Sequence, residues 1–196
     1  MCRGQVSSEA LTVERRTMRK IIVYVATSAD GYISRSDGNV DWLNRPRTAG
    51  DYGMAEFFKS IDTALLGRRT FDEAIGRGAE AHFGKRNKNY VFTHNPPPPS
   101  QYKYVEFVNE PIEEFAARVR ALPGKDIWLM GGGGIIASFL DAGEIDEFMI
   151  FVIPIFIGEG IPLIKPRHRD IQLKLLSSKA YEDGVVKLHY QVLHQT

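Results

Sequence analysis

Short hydrophobic runs alternate with segments of helical periodicity along most of the chain, and turn residues separate them. The first run, at residues 21–26, is rich in β-branched side chains and predicts a buried strand. Similar runs predict further strands at residues 63–66, 88–93, 104–107, 126–130 and 146–154. Apolar side chains at helical spacing predict helices at residues 54–59, 71–75, 112–122 and 135–140. The helix at 71–75 is expected to begin with an acidic first turn.

The last part of the chain has a different pattern. Two extended runs, at residues 173–181 and 185–193, flank Asp183 and Gly184, a dipeptide typical of a β-hairpin. The whole pattern predicts a mostly parallel mixed sheet, covered by helices on both faces, with an antiparallel hairpin at its C-terminal end. Residues 18–196 are expected to form this single α/β domain. Residues 1–17 lack periodicity and predict a flexible extension.

The composition narrows the class of protein. A chain of 196 residues with 43% hydrophobic and 25% charged residues is typical of a one-domain globular protein. Its formal net charge of +1 gives no electrostatic reason to expect binding to nucleic acid or to a membrane surface. No apolar run approaches the roughly 20 residues that span a membrane. Because Cys2 is the only cysteine, no internal disulfide and no cysteine metal cluster can form, which is consistent with a cytoplasmic location. We also expect no metal site.

Four consecutive glycines mark the junction between the run at 126–130 and the helix that follows it. Such a run lets the backbone turn sharply and approach a ligand closely. The next helix would begin with unpaired N–H groups and a partial positive charge at the same point, which favours a phosphate or pyrophosphate. The alternative is a tight turn without a ligand, but four adjacent glycines favour the anion site. The residues are Gly131, Gly132, Gly133 and Gly134.

Three further strand ends carry side chains suited to binding a ligand. Arginine presents a planar fork that matches phosphate oxygens, and threonine adds a hydroxyl group. Each signal alone fits a simpler arrangement, such as a surface arginine pair or an exposed loop histidine. However, ligands of parallel sheets bind outside the carboxyl ends of the strands, where all these residues are predicted to meet. Strand by strand, they are Gly67, Arg68, Arg69 and Thr70; Thr93 and His94; and Ser28 and Asp30.

A long loop is predicted between the first strand and residue 50, and it contains Trp42. Loops of this length in a compact domain often act as lids or binding loops. Trp42 could serve such a loop or could plug the local core, and the sequence leaves these two interpretations equal.

Four motifs occur in order along the chain: Ala26-x-Ser28-x-Asp30-Gly31-Tyr32-Ile33, Leu66-Gly67-Arg68-Arg69-Thr70-Phe71, Met130-Gly131-Gly132-Gly133, and Asp146 onward to Pro154, Gly158, Gly160, Pro162 and Leu163. In this order and spacing they resemble the dihydrofolate reductase-like superfamily. The last motif resembles the branch that contains the reductase domain of bacterial riboflavin biosynthesis. The resemblance covers about residues 19–193 and implies a three-layer αβα sandwich.

The same resemblance implies NADPH as the cofactor. The glycine turn would hold its pyrophosphate, the two arginines and Thr70 its phosphate groups, and Thr93 with His94 its adenosine ribose and 2′-phosphate. The end of the first strand would line the nicotinamide. The implied cofactor-binding residues are Ala26, Ser28, Asp30, Gly67, Arg68, Arg69, Thr70, Thr93, His94, Met130, Gly131, Gly132, Gly133, Gly134 and Ile135.

The implied reaction is hydride transfer to a C=N or C=O carbon of a small heterocyclic or carbonyl substrate. The leading substrate is 5-amino-6-(5-phosphoribosylamino)uracil. The alternatives are a dihydrofolate reductase and a nucleotide-binding module without turnover.

The sequence leaves the proton donor of this reaction open. Asp41 and Asp51 are the candidate acids, although Glu56 or Met54 could occupy the position of the acid that folate reductases use. Asp41 and Trp42 are the candidate substrate contacts.

The riboflavin-type relatives also imply a homodimer. The apolar stretch at 148–153 could lie near an interface, but its periodicity favours a central strand.

Overall fold

A computed structural model describes residues 18–46, 48–78, 87–97, 102, 104–165 and 170–193, so the expected extension at residues 1–17 lies outside the described residues. The strands are β1 Ile21–Ser28, β2 Tyr32–Ser34, β3 Ile61–Gly67, β4 Lys88–Phe92, β5 Val105–Val108, β6 Asp126–Gly131, β7 Glu147–Ile153, β8 Ile161–Pro162, β9 Gln172–Ala180 and β10 Val186–Leu193. The α-helices are α1 Met54–Ser60, α2 Arg68–Gly76, α3 Ile112–Arg120 and α4 Gly133–Asp141. A 3-10 helix covers Asp41–Leu43.

Eight strands form one sheet in the order β5-β4-β3-β6-β1-β7-β10-β9. The first six strands in that order are mutually parallel, whereas β10 runs antiparallel to both β7 and β9. β2 and β8 pair separately as a two-stranded antiparallel sheet. The predicted mixed sheet with a C-terminal hairpin is confirmed, and β7 is a central strand, as its periodicity favoured.

Side chains alternate between the two faces of the sheet and make two apolar layers. Ile21 and Val23 of β1 face the core that contains α3 and α4. Ile22 and Tyr24 face the opposite core, which contains Phe57 of α1. Phe71 of α2 packs in a third cluster with Leu66 of β3 and Val91 of β4. The chain is therefore a three-layer αβα sandwich with β1 near its centre.

Two local predictions need correction. α2 begins at Arg68 rather than Phe71, so its acidic residues fall after the first turn. The predicted loop after β1 contains both β2 and the 3-10 helix. These elements are too short for periodicity to reveal them. No helix among the described residues is long and apolar enough to cross a membrane.

The carboxyl ends of the parallel strands share one edge of the sheet. Gly67 of β3 lies opposite Phe92 of β4, and its neighbour Leu66 lies opposite Gly131 of β6. Ser28 of β1 lies opposite Ile153 of β7. The predicted ligand-binding positions therefore reach a common edge.

A buried guanidinium joins the elements at the opposite, amino edge. The side chain of Arg120 is only 3% exposed, and its Nη1 lies 2.7 Å from Asp146 Oδ2. Arg120 also donates to the backbone oxygens of Arg19 and Glu144, at 2.7 and 2.9 Å. The same Asp146 oxygen accepts a hydrogen bond from Ile21 N at 2.7 Å. One side chain of α3 thus helps to fix the chain where β1 begins and just before β7.

Glu147 gives this edge a pH-dependent contact. Its carboxylate oxygens lie 2.6 Å from Lys20 Nζ and 2.8 Å from His189 Nε2. Burial favours a raised pKa for Glu147, but hydrogen bonds from His189 and Lys20 hold the pKa below its ordinary value of 4.5. Because the folded state lowers this pKa, the carboxylate stabilises the fold above about pH 4.5, and the stabilisation is lost as the pH falls through the folded pKa.

Glu147→Gln is therefore expected to lower the free energy of unfolding at pH 7 by about 1–2 kcal/mol. It should also remove part of the acid dependence, which urea denaturation between about pH 3 and pH 7 measures. Glu106→Gln is the control, because Glu106 is 45% exposed and its pair with Lys88 contributes little. Parallel pH curves for the wild type and Glu147→Gln would contradict the assignment.

Candidate functional site

The glycine run forms the turn from β6 into α4. Gly132 precedes the first helical residue and has an extended backbone, at φ −77° and ψ −169°. The N–H groups of Ile135 and Ile136 both bond to Gly132 O, at 3.1 and 3.2 Å. In an α-helix the N–H groups before these have no intrahelical acceptor and point out of the helix end. The turn thus directs the amides of the first α4 residues towards the carboxyl edge.

The turn from β3 into α2 packs directly against this glycine run. A Cβ atom on Gly132 would lie 3.2 Å from Thr70 Oγ1, and one on Gly67 would lie 3.7 Å from Ile135 Cγ2. The two strand–helix turns therefore leave no spare room for side chains between them. Absence of side chains here lets the Thr70 hydroxyl and the backbone of the glycine run approach the same small volume.

β8 and the residues after it cover the glycine run from the other side. A Cβ atom on Gly133 would lie 2.6 Å from Pro162 O, and one on Gly134 would lie 3.7 Å from Lys165 Nζ. Lys165 forms no ion pair with any described residue. A free cation beside the positive end of a helix is electrostatically unfavourable unless an anion lies between them. Sequence reasoning missed Lys165, because no periodicity or motif links it to α4.

The two arginines are engaged in pairs along α2. Arg68 Nε lies 2.8 Å from Asp72, and its Nη1 donates to Asn95 O at 3.2 Å. Arg69 Nε lies 2.9 Å from Glu73, and its side chain is 60% exposed. This geometry matches the simpler arrangement, a surface arginine pair, although both guanidinium groups keep further N–H donors. Their phosphate contacts stay a prediction.

Thr93 and His94 follow β4 at the same edge. Thr93 Oγ1 accepts a hydrogen bond from Asn95 N at 3.2 Å, and His94 Nδ1 lies 3.2 Å from Asn109 Oδ1. Since Arg68 bonds to Asn95 O, the turn after β4 is joined to the start of α2. The predicted neighbourhood of these residues is present, and their contact with a ribose stays a prediction.

The end of β1 is tied to the loop between β7 and β8. Ser28 Oγ accepts a hydrogen bond from Tyr32 N at 3.0 Å and so closes the turn into β2. Asp30 accepts hydrogen bonds from Gly158 N at 2.8 Å and Ile157 N at 3.1 Å. The Ser28 hydroxyl, followed by these amides, lowers the pKa of the Asp30 carboxyl. Both side chains thus shape the wall of the site, while Ala26 stays partly buried beside it.

The two candidate acids each have a structural partner. Asp41 pairs with Arg35 Nε at 2.7 Å, and this hydrogen bond lowers the pKa of Asp41. Asp51 accepts hydrogen bonds from Ala55 N and Gly53 N, at 3.0 and 2.9 Å, which lower its pKa. A general acid needs a pKa near the working pH, so carboxylates with lowered pKa values are poor proton donors. Their geometry favours loop and helix capping.

Trp42 is a core residue, since it is 7% exposed and packs in the same apolar cluster as Phe57. The core-plug interpretation is therefore confirmed for the ring. Its Nε1 is buried and has no hydrogen-bond partner among the described residues. Contact of Trp42 with a substrate stays a prediction.

The described residues contain no group of three or more histidine, cysteine or acidic side chains placed to hold a metal ion.

The fold and the glycine-lined edge define a dihydrofolate reductase-like α/β protein. The structure of dihydrofolate reductase from Enterococcus faecalis superposes with a TM-score of 0.63 at 17% identity, over 90% of this chain and 99% of that one. A protein from Shewanella sp. PV-4, described as a putative riboflavin biosynthesis protein, superposes with a TM-score of 0.78 at 25% identity, over 89% of this chain and 99% of that one.

The chain belongs to the RibD C-terminal domain family, whose model matches residues 19–187. Protein YwjB of Bacillus subtilis is 37% identical over 173 residues, which cover 88% of this chain and 97% of YwjB. The resemblance predicted from the four motifs is confirmed at the level of both superfamily and family.

Proposed function

We propose that this protein is an NADPH-dependent reductase, which transfers a hydride to a C=N or C=O carbon of a small heterocyclic substrate. The observation that carries the proposal is the glycine run at the start of α4. Thr70 Oγ1 lies 3.2 Å from the position of a Gly132 Cβ atom, and Pro162 O lies 2.6 Å from that of Gly133. A crowded helix start without side chains suits a pyrophosphate, beside a lysine that has no ion-pair partner among the described residues.

Known relatives support the same class of function. The family is named for the C-terminal domain of RibD, and the Shewanella relative is described as a putative riboflavin biosynthesis protein. The superposed dihydrofolate reductase is described as complexed with NADP(H). The single cysteine of the chain is consistent with a cytoplasmic enzyme.

The residues of the edge fit this cofactor, which would supply the hydride when bound. The amides at the start of α4 and the Thr70 hydroxyl would bind the pyrophosphate, and Lys165 would balance its charge. Ala26 and the turn held by Ser28 would form the wall beside the reacting ring. Asp41 and Trp42, in the 3-10 helix after β2, are the proposed substrate contacts. With Asp41 and Asp51 ionised, we expect a solvent proton to complete the reduction.

One pair of measurements tests the proposal. NADPH and NADH are titrated against the full chain by fluorescence, and we expect NADPH to bind at least about tenfold more tightly. Stopped-flow oxidation of bound NADPH then follows, with 5-amino-6-(5-phosphoribosylamino)uracil and with dihydrofolate as separate substrates. Equal binding of the two cofactors would contradict the assignment of NADPH. Binding without oxidation by any substrate would favour a nucleotide-binding module.

Lys165→Ala is expected to weaken NADPH binding about five- to tenfold, because one cation is removed from the pyrophosphate. The difference from the wild type should shrink as NaCl rises to about 0.5 M, since salt screens an exposed charge. Lys174→Ala is the matched control, because Lys174 lies on β9 and is not at this edge turn. Equal NADPH affinities of wild type and Lys165→Ala would exclude a role for this lysine.

We also propose that the protein is a homodimer that pairs β9 with β9 of a second copy. β9 is at the edge of the sheet, and all nine of its residues are exposed. The leucines of this strand are largely exposed, at 41% for Leu173, 52% for Leu175 and 43% for Leu176. Exposed apolar side chains on an edge strand favour association with another chain. Light scattering should give twice the mass of 22.1 kDa, and Leu175→Glu should reduce it to one chain. A monomeric wild type would contradict the proposal.

A further inference from the structure

Two lysines face each other across the C-terminal hairpin. Lys179 of β9 is the direct cross-strand partner of Lys187 of β10. Directly opposed residues point to the same face of a sheet, with Cβ atoms about 5 Å apart, and like charges in this position are destabilising. Neither lysine forms an ion pair within the described part of the chain. The hairpin therefore carries two lysines on the same face, with neighbouring Cβ atoms and no ion-pair partner among the described residues.

Both lysines line a cavity of about 540 Å³. Its other walls are residues 49–53, the first turn of α1 and the end of β9. Ser177, Ser178 and Tyr181 also line the cavity, and Ser177 lies on the same face of β9 as Lys179. This set of donors and cations is suited to the oxygens of an anion.

Each of the two ammonium groups makes a cation–π contact with an aromatic ring, which does not neutralise its charge. Lys179 Nζ lies 4.8 Å from the centre of the Tyr181 ring, and Lys187 Nζ lies 5.6 Å from that of Phe151. Such cation–π contacts orient a charge while leaving its N–H donors available. Tyr181 is itself fixed, because its hydroxyl donates to Tyr52 O at 3.2 Å. The lysine side chains thus rest on a rigid wall before any ligand arrives.

Two carboxylates also line the cavity, and neither neutralises the lysines. Asp51 bonds to the amides of Gly53 and Ala55, and it pairs with no cation among the described residues. Glu56 likewise forms no ion pair with either lysine within the described residues. The cavity lining therefore combines two lysines and two carboxylates that form no ion pairs with each other. This arrangement favours a ligand with an anionic group at one end and hydroxyl or amino donors at the other.

We propose that this cavity is a second small-molecule site, which binds a phosphate or carboxylate group between Lys179 and Lys187. Ser177, which lies on the same face of β9 as Lys179, donates to the same anion, and the carboxylates of Asp51 and Glu56 accept from the polar remainder of the ligand. The site is built from β9, β10 and the turn before α1, and it does not depend on the reductase activity proposed above. Occupancy relieves the repulsion within the lysine pair and so stabilises the hairpin.

The test uses the full chain and three compounds with the same five-carbon skeleton: ribitol 5-phosphate, ribonate and ribitol. Calorimetric titration at constant ionic strength should detect binding of at least one of the two anions and no binding of ribitol. Comparison of the two anions then identifies the group that the site prefers. Lys179→Gln and Lys187→Gln should each weaken this binding at least about tenfold. Lys59→Gln, in the last turn of α1 and outside the cavity, should leave it unchanged.

Thermal unfolding provides a second readout that does not need a calorimetric signal. Without ligand, Lys179→Gln should raise the melting temperature, because it removes the like-charge contact. With the anion, the wild type should gain more than either variant. The alternative hypothesis is that the two lysines only protect the edge of the sheet from aggregation, and it predicts a different result. In that case NaCl at equal ionic strength would reproduce the gain, or the variants would bind the anion as well as the wild type, and the proposal would be overturned.

Discussion

Gly132→Val is expected to weaken NADPH binding about a hundredfold, equivalent to ~2.7 kcal/mol. The valine side chain would begin 3.2 Å from Thr70 Oγ1, where the two strand–helix turns meet, and its methyl groups would fill the space that a pyrophosphate needs. It would also hold any anion away from the amides at the start of α4. The loss should therefore be much larger than that from a single surface charge. Fluorescence titration of purified wild type and variant measures it.

The variant should still fold, which separates a binding defect from misfolding. Gly132 has φ −77° and ψ −169°, an extended conformation that any residue adopts without strain. Circular dichroism should therefore match the wild type, whereas thermal unfolding should show a modest loss, because Thr70 must shift to accommodate the new Cβ atom. Gly76→Val is the matched control, because no atom lies within 4 Å of a Cβ placed on Gly76. If Gly132→Val binds NADPH as tightly as this control, the glycine run is only a tight turn.

Arg120→Met is expected to lower the free energy of unfolding by about 3–5 kcal/mol. The side chain of Arg120 is 3% exposed, and its removal leaves the carboxylate of Asp146, at 13% exposure, without its cation. It also leaves the backbone oxygens of Arg19 and Glu144 without this donor. Methionine keeps the apolar part of the side chain, so the loss reports mainly on the polar contacts. Urea denaturation followed by circular dichroism measures it.

The same helix supplies the control for this prediction. Arg118 is also paired with acidic side chains, but it is 41% exposed. Water solvates both partners of such a pair, so Arg118→Met should change the free energy of unfolding by less than about 1 kcal/mol. Similar losses for the two variants would mean that methionine disrupts α3 itself rather than the buried network.

The sheet could be predicted from the sequence because its strands are long and strongly patterned. β1 and β6 are apolar runs, and the hairpin of β9 and β10 carries Asp183 and Gly184 at its turn. These local patterns determine the secondary structure even when distant parts of the chain pack against it. By contrast, β8 has two residues, and its pairing with β2 is set by contacts between distant parts of the chain. No local pattern can reveal a strand of that length.

In the candidate site, too, some residues could be predicted from the sequence and others could not. The glycine run was predictable because four adjacent glycines lose much conformational entropy on folding, a cost that a sharp turn beside a ligand offsets. Lys165 was not, since only the path of β8 over Gly133 brings its ammonium to α4. Asp41 was a reasonable candidate acid in sequence terms, yet Arg35 occupies its carboxylate. The sequence shows which side chains can bind a ligand or donate a proton. Only the fold shows which of them already form an ion pair or a hydrogen bond within the protein.

The central position of β1 has a consequence for synthesis of the protein. β1 is the first described strand, but its two sheet neighbours are β6 and β7, which begin at Asp126 and Glu147. During translation, β1 can therefore pair with its neighbouring strands only after more than half of the chain has been synthesised. Chains that expose such a strand for long are prone to aggregate. The order of strands along the chain thus makes completion of this fold a late event in translation, and makes the growing chain a natural client for chaperones.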